Sequence, residues 1–194
     1  MKKALLSTLL FCTLASSVFA APFAKGTAPT PEEAPPVPMA IHGNGSLIYY
    51  SDKIFDASLT GSLSDRWGVN FNLLYKSGDT GITAAEIGIQ YAFTDQFALT
   101  AGGVDGHNVT TAADNTLRLK HYYGGFIYNQ PISDEQTAYV MYLKGPTLKD
   151  LKVGTTFNLS DALYLEVAYR DYKYNAADYS KAFNGVGAGL GFKF

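Results

Sequence analysis

General acid–base chemistry needs a carboxylate and an imidazole within reach of each other, and the chain has one such local pair, Asp105-Gly106-His107. The other histidines, His42 and His121, are remote from it, and neither His121 nor Ser180 sits in a nucleophile motif. A metal centre needs clustered ligands, whereas these three histidines are dispersed. The residues therefore predict a protein that is not an enzyme, with no catalytic group, no metal and no cofactor. A second set is more informative. Asp56, Glu86, Lys152, Glu166 and Arg170 each lie in a run of alternating apolar and polar residues, on the polar side. If that side is enclosed, such charges must pair or meet water. They would then form either an internal network that plugs an enclosure or the lining of a narrow hydrated channel.

The elements that position these charges are β-strands. Phe55, Ala57, Leu59, Gly61 and Leu63 alternate with Asp56, Ser58, Thr60 and Ser62. The same period of two runs through Trp67–Tyr75, Thr83–Phe93, Leu151–Leu159 and Leu163–Tyr169. Leu74 breaks the alternation, and along 116–144 both faces carry bulky groups, which leaves the phase open and suggests a bulge. Four short elements punctuate the strands: Ser64-Asp65, Thr94-Asp95, Ser133-Asp134 and Ser160-Asp161, residue pairs that fold back onto tight turns. Between them lie polar segments expected to be longer loops: Ser77–Gly81, Asp105–Asn115, Gly145–Asp150 and Asn175–Lys181.

The chain opens with Lys2 and Lys3, an apolar stretch from Ala4 to Leu14, and the cleavage-like Val18-Phe19-Ala20. Residues 1–20 read as a Sec signal peptide cleaved after Ala20, with Phe11 before Cys12 arguing against lipidation. Cleavage would leave 174 residues without cysteine, so no disulfide supports the exported fold. The formal charge of −2 includes both leader lysines, so the mature chain is near −4 and has no basic patch for nucleic acid. Residues 21–40 hold six of the eight prolines and read as a proline-rich periplasmic linker.

Apolar residues make up 47% of the chain, yet past the leader no run approaches the ~20 residues of a spanning helix. The polar faces of the strands carry mostly Ser, Thr, Asn, Gly and Ala, and aromatics gather at strand ends. Those features point the apolar faces at lipid, where a sheet must close so that every backbone group is paired. The last strand fits closure: Val186, Ala188, Leu190, Phe192 and Phe194 share one face, and Gly185, Gly187, Gly189 and Gly191 share the other. The glycine face is expected to leave the lumen roomy.

These features, ending in Gly189-Leu190-Gly191-Phe192-Lys193-Phe194, resemble the small outer-membrane β-barrels of diderm bacteria, the OmpA/OmpX-like and YfaZ-like proteins, over residues 41–194. The resemblance implies integral outer-membrane residence among lipid and lipopolysaccharide, with periplasmic chaperones and the barrel-assembly machinery as partners. It also implies that Leu190, Phe192 and Phe194 form the assembly signal. Omptin-type proteases use an Asp-x-His pair in a ten-strand barrel, but this chain lacks their Asp-x-Asp partner and their long loops.

Four tight turns with both chain ends on one side predict ten strands, near 41–50, 54–63, 67–76, 82–93, 96–104, 116–131, 136–144, 150–159, 162–174 and 183–194; eight is the alternative. The fold class is thus all-β, a closed antiparallel up-and-down transmembrane barrel. The leading functional expectation is a narrow porin-like channel for small solutes. A non-conducting structural or surface-interaction barrel is close behind it, and a barrel hydrolase ranks last.

Overall fold

The computed structural model describes residues 42–76, 83–107, 120–177 and 179–194. Ten strands among these residues close into one antiparallel barrel in which every strand pairs with its neighbours in sequence, and β1 pairs with β10. They are β1 (Gly43–Tyr50), β2 (Ile54–Ser62), β3 (Trp67–Lys76), β4 (Thr83–Ala92), β5 (Phe97–His107), β6 (His121–Pro131), β7 (Gln136–Lys144), β8 (Leu148–Asn158), β9 (Leu163–Ala176) and β10 (Tyr179–Lys193). The expected leader and proline-rich segment, and residues 77–82 and 108–119, on which much of the expected loops Ser77–Gly81 and Asp105–Asn115 falls, lie outside the described residues. The first hairpin belongs to the wall despite its short connection. Lys53 takes a positive φ of 59° to make the turn, and β1 then pairs on both sides.

The four hydroxyl-bearing turns work as expected. Ser64, Thr94, Ser133 and Ser160 each accept a backbone N–H two or three residues ahead, from Trp67, Phe97, Glu135 and Leu163 respectively. These turns, the start of β1 and the end of β10 lie at one end of the barrel, called here the terminal end.

The opposite end departs from expectation. Three of its four polar segments contribute described residues to strands. Asp105, Gly106 and His107 extend β5, and β8 begins at Leu148, leaving only residues 145–147 as a turn. β9 and β10 run to Ala176 and from Tyr179, so Asn175–Lys181 is a hairpin tip instead of a long loop. Polar composition misleads here because an inward-facing strand residue such as Asp105 or Asp150 is polar and buried, which composition alone does not distinguish from a loop. The expected bulge along 116–144 is also absent from the described pairs: Gly124↔Lys144 through Pro131↔Thr137 keep one register throughout. Both faces are bulky there because the interior itself is filled.

The outer wall is apolar. Val186 is 59% exposed, and Leu47, Ile89, Leu99, Val153 and Leu190 are exposed with it. Aromatic rings edge this band. Trp67, Tyr91, Phe93 and Phe97 follow one another at 4.9, 5.0 and 6.2 Å near the terminal end, and Tyr49, Phe55 and Tyr75 at 4.8 and 6.4 Å near the other. Such girdles sit where a bilayer's hydrocarbon meets its headgroups.

Candidate functional site in the barrel interior

Strand parity brings the inward-facing charges together. Arg170 projects from β9 and is fully buried. Its Nε and Nη2 donate to the two oxygens of Asp150 on β8 at 3.0 and 2.6 Å, a bidentate pair. Its Nη1 lies 2.8 Å from Asp56 Oδ2 on β2, and its Nη2 lies 3.8 Å from Glu86 Oε2 on β4. The guanidinium also stands 5.3 Å from the Tyr172 ring centre. Lys152, one strand away, bridges Asp56 at 3.2 Å and Glu166 at 3.0 Å. Asn72 donates to Asp56 at 2.6 Å, Tyr50 donates to the same carboxylate at 3.4 Å, and Tyr139 donates to Glu166.

The strand order gives this cluster its meaning. In the closed ring β9 and β4 are five steps apart in either direction, so Arg170 and Glu86 come from diametrically opposite walls. Strands ~4.8 Å apart and tilted ~40° make a ten-strand cylinder roughly 20 Å across, so the two long side chains meet near its axis. Four carboxylates and two cations thus form one network across the middle of the bore, each of the six residues at most 6% exposed.

On the side away from the termini an apolar layer covers the network. Ile54, Leu74, Val104, Leu143, Leu148 and Phe183 belong to one buried cluster to which each of the ten strands contributes. Phe183 stacks on Tyr172 at 5.4 Å. Leu74, which breaks the sequence alternation, does so because it is part of this inner layer. On the terminal side the interior changes character. Thr60, Asn70, Gln90, Asn129, Thr137, Thr156 and Asn158 face inward yet are only half-buried, so solvent reaches them from that mouth. The interior is a polar vestibule open at one end, a charged layer across the middle and an apolar layer at the other end.

All five charges singled out from the sequence lie in this network. Asp150 is absent from the sequence-derived set although it shares the parity of Lys152, because it sits at the junction of the expected strand 150–159 and the polar segment Gly145–Asp150 and reads as a loop residue. The tyrosines Tyr50, Tyr139 and Tyr172 are not singled out by the sequence either, since tyrosine in a barrel strand suggests the lipid interface first. The expectation of a roomy glycine face is corrected. Tyr164 lies against Gly191, and Tyr50 and Ile48 against Gly187, so neighbouring rings occupy the space that glycine gives up. The histidines stay apart: His42 precedes β1, His107 ends β5, and His121 sits edge-on to Tyr174 at 5.9 Å.

No family model and no curated protein matches the chain. Among solved structures it is similar to the N-terminal β-barrel domain of Pseudomonas aeruginosa OprF, at 11% identity and a TM-score of 0.39, covering 79% of this chain and 96% of that one. It is also similar to the KdgM porin in complex with disordered oligogalacturonate, at 7% identity and a TM-score of 0.42, covering 79% and 98%. A third similar structure is Ail, the attachment invasion locus protein of Yersinia pestis, at 12% identity and a TM-score of 0.28, covering 79% and 95%. The chain's own geometry, a closed ten-strand cylinder with apolar outer walls and a charged network inside its middle, is that of an integral outer-membrane β-barrel.

Proposed function

We propose that the protein is a non-conducting outer-membrane barrel that serves the envelope as a rigid structural and surface-presenting element. The observation that carries this reading is the Arg170–Glu86 contact between opposite walls, with Asp150 and Asp56 filling the remaining space around the guanidinium. An ion crossing the bore would have to part a buried multi-partner charge cluster and then an apolar layer, each costing several kcal/mol. The small polar residues at the terminal mouth favour a second reading, a channel whose closed form is seen here. Planar-bilayer recording of the refolded chain separates the two. Absence of ohmic steps is expected, and sustained steps in the wild type would establish the channel. Leu190, Phe192 and Phe194 are 53%, 41% and 48% exposed on the outer face of β10 and just beyond it, which supports their role as a signal read by the assembly machinery.

A further inference from the structure

We propose that the outer wall of β7–β9 binds the phosphorylated headgroup of a membrane lipid, at the barrel end away from the termini. Three lysines stand in one directly paired row there: Lys144 on β7 faces Lys149 on β8, which faces Lys173 on β9. All three are on the outer face. Their strand neighbours Leu143, Leu148, Asp150, Tyr172 and Tyr174 are buried inside, while the lysines are exposed. Like charges directly opposite on adjacent strands repel, with Cβ atoms about 5 Å apart, so this row weakens the sheet unless an anion sits across it. Asp171 answers one member, lying 3.6 Å from Lys173. Among the described residues no carboxylate pairs with Lys144 or Lys149.

The surroundings specify the anion. Gly124 and Ala182 flank the row on β6 and β10, which leaves its two ends uncrowded. Further along the same strands the outer face becomes apolar through Leu151, Val153 and Tyr169. Val153 and Tyr169 are each 42% exposed. The row spans two strand spacings, about 10 Å, roughly the breadth of a single headgroup. A ligand with phosphate at the lysines and acyl chains on that apolar strip matches both parts. A soluble phosphate would use only the first. With the tight-turn end facing the periplasm, as in outer-membrane barrels generally, this lipid belongs to the outer leaflet.

The test uses the full chain refolded in neutral detergent, with bound lipid A counted by native mass spectrometry. A lysine near a charged membrane surface contributes about fivefold in affinity, so Lys144→Gln/Lys149→Gln/Lys173→Gln is expected to weaken binding about a hundredfold. Lys53→Gln/Lys76→Gln, at the same end but on the opposite wall, should stay within threefold of wild type. Unheated gel mobility checks that each variant is folded. Removing phosphate from the lipid should weaken binding to the wild type as the triple substitution does, and millimolar inorganic phosphate should not displace the lipid. Triple-variant binding within threefold of wild type overturns the proposal. So does an equal loss in the opposite-wall variant, or displacement by inorganic phosphate.

Discussion

Arg170 holds the interior together because it meets carboxylates from three strands at once. Removing it would leave Asp150 and Asp56 buried beside each other with one cation fewer. Arg170→Met is therefore expected to lower unfolding stability by about 3–5 kcal/mol, read from urea titration of the refolded barrel. Glu86 is different. It lies farthest from the guanidinium, and among the described residues its Oε1 has no hydrogen-bond partner, within a cluster already rich in negative charge. Glu86→Gln should change stability by less than about 1 kcal/mol in either direction, and a loss as large as that of Arg170→Met would show that the cross-bore contact dominates. The five charges were legible from strand parity alone, since period two assigns each to a face. Which carboxylate meets which cation was not legible, because that depends on stagger between strands distant in sequence.

Among the elements, β10 carries the clearest division of labour. Its apolar face meets lipid, while its glycines accept what neighbouring strands push inward. A Cβ at Gly189 would meet the backbone of Leu47 and Ile48 at the seam with β1, whereas one at Gly185 would meet mainly the movable Ser51 hydroxyl. Gly189→Val should cost about 1–3 kcal/mol of stability and lower refolding yield. Gly185→Ala should be tolerated within about 0.5 kcal/mol, and equal effects at the two sites would refute the backbone argument. The ten strands, the four hydroxyl-capped turns and the outward apolar faces could all be read from alternation and turn chemistry. The tip of β9–β10 could not, since Asn175 and Lys181 look like loop residues when taken singly and join a ladder only through their partners.

At the scale of the whole molecule, the proposed non-conducting role makes the two inner layers seals in series. Removing the charged layer with Arg170→Ala/Glu86→Ala, or thinning the apolar layer with Leu74→Ala/Leu148→Ala, should each leave planar bilayers silent. Combining all four substitutions should produce ohmic steps, provided that gel mobility shows a folded barrel. Steps from either pair alone would mean that one layer does all the closing. The sequence suggested a lumen of small polar residues, and half of it is so. The other half was hidden because Leu74, Tyr123, Leu143 and Phe183 carry the same side-chain types that face lipid elsewhere.

The Arg170–Glu86 contact has a mechanical consequence as well. A hollow cylinder under uneven lateral pressure flattens into an ellipse, because bending a β-wall costs little compared with breaking its ladder. A tie joining opposite points of the circumference opposes that flattening along its own direction, and Asp56, Lys152 and Glu166 brace it along others. The barrel then keeps a round cross-section as the surrounding leaflet is compressed or stretched, and its outer face offers neighbouring molecules a footprint of constant shape.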